Sequence, residues 1–344
     1  MNSVRRFVRG DESRWDTFVE CSPGSHGYHR VGWKAVIEGC FGHKTYYLCS
    51  TDGQDNLNGV LPLVRLKSRL FGDFLVSLPY FNYGGPCADT SPVALALVEA
   101  AVRTAREERV EYVELRLTQP EGFGLAVRTS KVSMRLELPD EAPSLWSSFP
   151  AKLRSQINRP VKEGMIARVG THEELDAFYD VFAANMRDLG TPVYPKVLFA
   201  AVLNQFPKDA WICNVYHRGR PVAGGFLVGF RGVLEIPWAS SLRGVSRLAP
   251  NMLLYWRALE YACHRRYRTF DFGRSSPESG PYRFKKQWGA VPQPLYWHYW
   301  LSDGRAMPEL NPANPRYRLA IDIWKRLPVG LTKLIGPVIV RNIP

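Results

Sequence analysis

The sequence predicts an α/β protein with a mixed sheet, assembled from two similar halves. Apolar runs of strand length recur before a single amphipathic helix, the order repeats along the 344 residues, and turn residues punctuate both halves at the same place. In the first half the strand-like runs are Thr45–Cys49, Gly59–Leu66 and Phe74–Pro79. The turn Gly84-Gly85-Pro86 follows, then a helix over about Pro92–Glu108 and a strand at Tyr112–Arg116. In the second half the runs are Trp211–Tyr216, Pro221–Phe230 and Gly232–Ala239. Ala249-Pro250-Asn251 makes the turn, with a helix over Met252–His264 and a strand at Thr269–Phe272. Duplication is the economical explanation. Between the halves, Trp146–Arg159 reads as a basic amphipathic helix that Pro160 ends or kinks. Helices at Glu173–Leu189 and Lys196–Phe206 are separated by Gly190-Thr191-Pro192.

The expected organisation is therefore a first domain over residues 1–145, a second over 146–305, and an amphipathic C-terminal tail over 306–344. The tail mixes cations with an apolar face broken by prolines, suited either to a membrane interface or to capping a core.

A chain with 45% hydrophobic and 22% charged residues can bury ordinary cores. A net charge of +13 draws polyanions: nucleic acid, phosphorylated substrates or anionic headgroups. The arginines are spread rather than run together, which favours a folded basic face over a disordered basic arm. Met1–Arg6 leads into charged residues, so neither a signal peptide nor an N-terminal anchor is expected. No apolar run approaches the ~20 residues that span a bilayer. Six scattered cysteines read as free thiols in a reducing cytoplasm.

The segment Phe270–Gly289 concentrates the chemistry. Asp271 comes off an apolar strand, a Gly/Ser/Pro loop follows, and Lys285 and Lys286 sit among aromatics. Open α/β sheets present reacting groups in this way. Elsewhere, no phosphate-cradling Walker loop, dinucleotide glycine fingerprint or His-Glu-x-x-His helix occurs. Ser275 lacks the second glycine of a nucleophile elbow and reads as a turn residue. His26, His29 and His43 have no carboxylate or cysteine at ligand spacing; they read as surface or substrate-facing imidazoles, and no metal is expected.

In several ordered blocks between about Ser25 and Tyr299 the chain resembles the Fem-type aminoacyltransferases of peptidoglycan bridge formation, in particular the FemAB-like branch associated with exosortase and exopolysaccharide systems. The blocks are Phe41-Gly42-His43, Gly59–Leu63, Leu75–Pro79, Tyr83-Gly84-Gly85-Pro86, Val113–Arg116, Asn185–Pro192 and Phe270–Gly289. The resemblance implies two tandem acyltransferase domains of the GNAT type with a helical insertion. It also implies an aminoacyl group carried on tRNA, moved to an amine of a lipid-linked or nucleotide-linked cell-envelope precursor. No tightly bound cofactor is implied. The protein would work in the cytoplasm, peripherally at the inner face of the membrane. An acyl-CoA donor is the enzymatic alternative; a non-catalytic module that binds anionic envelope intermediates is the other.

Acyl transfer needs a neutral amine, a group to take its proton and a donor for the oxyanion. Phe284-Lys285 matches the family's Phe-Lys pair, so Lys285 would steady the oxyanion or hold the donor's phosphate or ribose. Asp271 would orient or deprotonate the amine, or else only pair with Arg274 and shape the loop. Tyr282 would relay a proton, and Arg274 would grip a carboxylate or phosphate. Arg154, Arg159 and Arg187 are further phosphate contacts, with Asn185 and Asp188 beside Arg187. For an acyl-CoA donor, Arg247-Leu248-Ala249-Pro250-Asn251 has no glycine and Pro250 has no N–H, whereas Gly84-Gly85 stands where a pyrophosphate cradle would be.

Overall fold

A computed structural model describes residues 3–69, 71–308 and 315–343. The chain forms two compact units. One comprises Met1–Val132, Gln293–Glu309 and Arg341–Pro344; the other comprises Ser133–Pro292 and Leu310–Val340. The division falls at Val132/Ser133 rather than 145/146, and residues 293–309 return to the first unit before residues 310–340 complete the second.

The first unit contains β1 (Ser3–Arg6), α1 (Glu12–Cys21), α2 (Gly32–Phe41), β2 (Leu48–Thr51), β3 (Leu57–Leu61), β4 (Val64–Ser68), β5 (Gly72–Val76), β6 (Cys87–Ala88), α3 (Ser91–Glu107), β7 (Tyr112–Leu117) and β8 (Ala126–Arg128). Along the second unit run β9 (Val132–Glu137), α4 (Ala142–Ser148), α5 (Ala151–Lys162), β10 (Met165–Gly170), α6 (Leu175–Leu189), α7 (Lys196–Gln205), β11 (Ala210–His217), β12 (Arg220–Phe230), β13 (Val233–Ser241), α8 (Pro250–His264), β14 (Thr269–Ser275), α9 (Gly280–Lys286) and β15 (Val291–Pro294). Then come β16 (Tyr296–Leu301) in the first unit, and α10 (Pro315–Trp324) and α11 (Val329–Val340) in the second.

The first unit has a four-stranded sheet, β1-β2-β3-β6, and a five-stranded one, β4-β5-β7-β16-β8. The run expected as one strand over Gly59–Leu66 is two. Pro62 has no N–H to give a ladder, so the chain breaks there and β3 and β4 enter different sheets. Leu97, Val98 and Ala101 of α3 pack with Leu61, Leu75, Val113 and Leu115 to make the core. β5 and β7 run parallel, pairing Leu75 with Val113 and Val76 with Glu114.

In the second unit a seven-stranded sheet runs β10-β11-β12-β13-β14-β9-β15. Gly224 and Gly225 show how its two faces are covered. Adjacent strand residues point to opposite faces, and a Cβ on Gly224 would meet Phe178 of α6 whereas one on Gly225 would meet Ile236 of β13 and Leu254 of α8. Thus α6 lies on one face and α8 on the other.

Two expectations about helices change. The basic helix expected over Trp146–Arg159 is two helices, because Phe149, ahead of a proline, is extended and Pro150 starts α5. Pro160 does not end α5, which reaches Lys162; the proline sits buried in the last turn. The tail holds two helices, α10 and α11, and Trp324, Thr332, Gly336 and Val340 bury one side of it. Residues 309–314 of that expected tail lie outside the described residues.

Candidate functional site

The site is built where two parallel strands part. β13 and β14 are paired through Val233 with Thr269, Leu234 with Phe270, and Glu235 with Asp271. Both strands continue beyond that pair, β13 to Ser241 and β14 to Ser275. Pro237, two residues past Glu235, cannot donate to a ladder. Glu235 and Asp271 are both buried at the point where the sheet opens.

Lys285 faces this opening from α9. Ser279 caps that helix by accepting from the Tyr282 N–H, at 3.3 Å, with Pro281 in the first turn. Lys285 is buried, and its Nζ donates to the carbonyls of Gly273 at 2.9 Å and Arg274 at 3.0 Å. Gly273 has φ 75°, a left-handed conformation that glycine alone adopts without strain. Burial pulls the Lys285 ammonium down to about 8, against the opposing attraction of Asp271 and Glu235.

Asp271 is 1% exposed and its carboxylate accepts from Ser133 Oγ (2.6 Å), Arg135 Nε (3.0 Å) and the Gly273 N–H (2.8 Å). The cation bonded to Asp271 is Arg135 on β9, whereas Arg274, the alternative partner, points outward from β14 and is exposed. Asp271 also lies within β14 rather than at its end, because the strand continues to Ser275. Tyr282 is buried one helical turn before Lys285, with Lys286 Nζ 5.9 Å from its ring centroid. Phe284 is half-buried and meets Tyr255 edge-on at 5.0 Å. Tyr255 in turn stacks on Phe272, so the aromatics form a wall from α8 across β14 to α9.

Residues 147–286 match the acetyltransferase (GNAT) domain family. The matched stretch lies within the second unit. No curated protein sequence matches the chain. Among solved structures, the crystal structure of FemX is similar over 86% of this chain and 96% of its own, at 14% identity and TM-score 0.66. The L-PGS structure from Bacillus licheniformis is similar over 95% and 97%, at 14% identity and TM-score 0.57. A tandem GNAT protein from the clavulanic acid biosynthesis pathway matches over 89% and 100%, at 11% identity and TM-score 0.54. At these identities the likeness is one of fold, and the fold is two tandem GNAT-like units.

The other expected site residues are dispersed through these GNAT-like units. Asn185 Nδ2 donates to Ser240 Oγ at 3.0 Å, which ties α6 to the far end of β13. Arg187 instead donates to Asp188 (2.6 Å) and to the Leu327 carbonyl (3.1 Å), so this pair braces the C-terminal helices. Arg154 and Arg159 are five residues apart on α5, about 140° around the helix, and do not share a face. Arg154 Nη1 donates to the Ser147 carbonyl.

Gly84 and Gly85 belong to the first unit, and their lack of side chains serves close backbone approach. A Cβ on Gly85 would lie 2.7 Å from Leu117 Cγ and 2.9 Å from the Arg116 carbonyl, which already accepts the Gly85 N–H. His29 and His43, expected at the surface or facing substrate, are buried. His29 Nδ1 accepts from the His26 N–H and its Nε2 donates to the Gly85 carbonyl, which fixes the neutral ring. Among the described residues, no group of three or more His, Cys, Asp or Glu is placed to hold a metal.

Each candidate cradle for a CoA pyrophosphate has an N–H that is missing or already bonded. Before α8 the chain makes a 3₁₀ turn, Arg243–Leu248, then Ala249 in the left-handed region and Pro250 at the first helical position. In the first unit the Gly85 N–H is already used.

Sequence reasoning missed Glu235, Ser133 and Arg135. A lone acid within Val233-Leu234-Glu235-Ile236 was a readable signal, since a charge inside an apolar strand needs a reason. Ser133 and Arg135 reach Asp271 across more than 130 residues of chain, a contact no local pattern announces.

Proposed function

We propose that this protein transfers an aminoacyl group from aminoacyl-tRNA to an amine of a peptidoglycan or exopolysaccharide precursor, lipid-linked or nucleotide-linked, at the inner face of the membrane, as in the exosortase-associated Fem-type branch. One observation carries the reading. Lys285 is a buried cation with three N–H donors, of which two are held by the Gly273 and Arg274 carbonyls. The third is left for the place where β13 and β14 separate.

In the proposed reaction the neutral amine attacks the ester carbonyl of the donor. The carbonyl oxygen becomes an oxyanion, which the remaining Lys285 N–H stabilises. When the tetrahedral species collapses, the amide C–N bond is kept and the ester C–O bond breaks. The ribose oxygen leaves with the proton that the amine gives up, passed through the Tyr282 hydroxyl. Asp271 acts as a positioning residue: its three donors fix β14 and Gly273, and so the carbonyl on which Lys285 rests. Arg274, exposed beside the opening, is the proposed grip for a carboxylate or phosphate of the substrate. The tRNA donor is favoured over acyl-CoA by the proline at the start of α8, which removes one N–H from the helix N-terminus.

The test is transfer of label to envelope-precursor extracts from radiolabelled aminoacyl-tRNA pools and, separately, from acetyl-CoA, with wild type beside Lys285→Ala. Label moving from tRNA only in wild type is the expected result. Transfer from acetyl-CoA alone would replace this reading with an N-acyltransferase, and transfer from neither would leave a binding module.

A further inference from the structure

The C-terminal helices of the second unit carry an apolar stripe on the side away from the domain. On α11, Thr332, Gly336 and Val340 are buried, four residues apart, and a Cβ on Gly336 would press on the Val193 backbone. The opposite side presents Leu331, Leu334, Ile335 and Val338, the i, i+3, i+4, i+7 pattern of one helix face. Leu334 is 75% and Val338 65% exposed. On α10, Leu319 and Ile323, also four apart, are exposed, whereas Trp324 is buried.

Scattered exposed leucines need no explanation, but two helices with matching stripes do. A folded domain gains nothing from holding six aliphatic side chains in water. Cations flank the stripe: Lys325 and Arg326 are exposed between the helices, and Lys333 on α11 reaches Asp180 of α6 at 2.5 Å. Residues 319–340 hold three cations and one acid. Aliphatic residues on one helix face with lysine and arginine alongside match an anionic bilayer surface, where the apolar face enters the acyl boundary and the cations meet headgroups.

The helices are moored close to the site. The last turns of α6 carry Asn185, bonded to Ser240 near the end of β13, and Gly190, against which Ile321 of α10 packs. A surface held by α10 and α11 would therefore present a membrane-borne acceptor on the side where the sheet opens.

We infer that the exposed faces of α10 and α11 dock this protein on an anionic lipid surface. The inference rests on the acceptor being presented at a membrane and is independent of which acyl group is moved. Flotation of the full chain with neutral phosphatidylcholine vesicles and with vesicles containing about one-third phosphatidylglycerol tests it, with no donor or acceptor present. Wild type floats with the anionic vesicles at least tenfold better than with neutral ones. Leu334→Glu with Val338→Glu removes that binding tenfold or more while the circular dichroism and melting temperature stay unchanged. The milder pair Lys325→Gln with Arg326→Gln weakens it, and added salt does the same.

Failure of wild type to float, or equal flotation of the Leu334/Val338 variant, would overturn the inference. So would a wild-type dimer in light scattering that the same variant converts to monomer without any vesicle binding; the stripe would then belong to a second copy. Transfer to a soluble amine, measured separately, keeps the two ideas apart. Intact transfer without flotation removes only the docking surface, and flotation without transfer removes only the proposed reaction.

Discussion

Glu235 and Asp271 stand opposite one another in the last parallel pair of β13 and β14, with Arg135 bonded to Asp271 at 3.0 Å and the Lys285 ammonium attracted by both acids. Two buried carboxylates side by side repel in a low dielectric unless a positive charge lies close. The GNAT-like site thus has its charges arranged before any substrate arrives.

Replacing Lys285 by Met keeps the aliphatic packing and removes the cation. Loss of one preorganised oxyanion donor costs about 10²-fold or more in rate. We expect kcat for acyl transfer to fall by that order, with KM less affected and the fold retained by circular dichroism. An unchanged kcat would take Lys285 out of the reaction.

The pH dependence has a definite sign. Lys285 is held down to about 8, so it is charged below that pH and neutral above it. A reaction that needs the cation declines as pH rises through about 8. Lys285→Arg, whose side chain stays charged, holds its rate above that point. Comparing the two proteins on the same acceptor cancels the titration of the acceptor amine. Parallel profiles would contradict a cationic role.

The repeat places an acid at the same point of both units, with different consequences. In the first unit Glu114, paired with Val76 across the parallel strands, is bonded to Arg116 at 2.7 Å, and both side chains are buried. Arg116→Met strands the carboxylate, and removing one partner of a buried pair costs about 3–5 kcal/mol. Urea unfolding of the first unit should show that loss, and adding Glu114→Gln should recover part of it.

Acid should weaken the fold through His29. Its burial lowers the ring to about 4 from an ordinary 6.5, so the unfolded chain takes the proton first. Stability is therefore full above about 6.5 and is lost as pH falls toward 4, by about 3 kcal/mol for this group. His43 is lowered to about 4 as well and acts in the same direction. The urea midpoint of His29→Gln should fall less steeply over that interval than that of wild type; equal slopes would remove His29 as a cause.

Much of the architecture could be read in the sequence because its signals are local. The helix over Met252–His264 and the strand Trp211–Tyr216 show their periods in neighbouring residues, and α8 and β11 follow them closely. Pro62 and Pro150 were equally visible, but their effect depended on which sheet or helix the flanking residues joined. Within the site, Lys285 could be picked out because Phe284-Lys285 resembles the family's Phe-Lys pair, whereas the short helix that places Tyr282 one turn before it is seen only in the structure.

By itself the sequence determined the mixed α/β class, the repeat and the Asp271–Lys285 block, since periodicity and spacing act over a few residues. Only the tertiary structure decided that Arg135 rather than Arg274 answers Asp271, that Glu235 joins it, and that Arg187 braces α10 and α11. The reason is that charge pairing follows distance in space. A buried carboxylate takes whichever donor the sheet brings beside it, and the order of strands β13-β14-β9 brings Arg135 from more than 130 residues away.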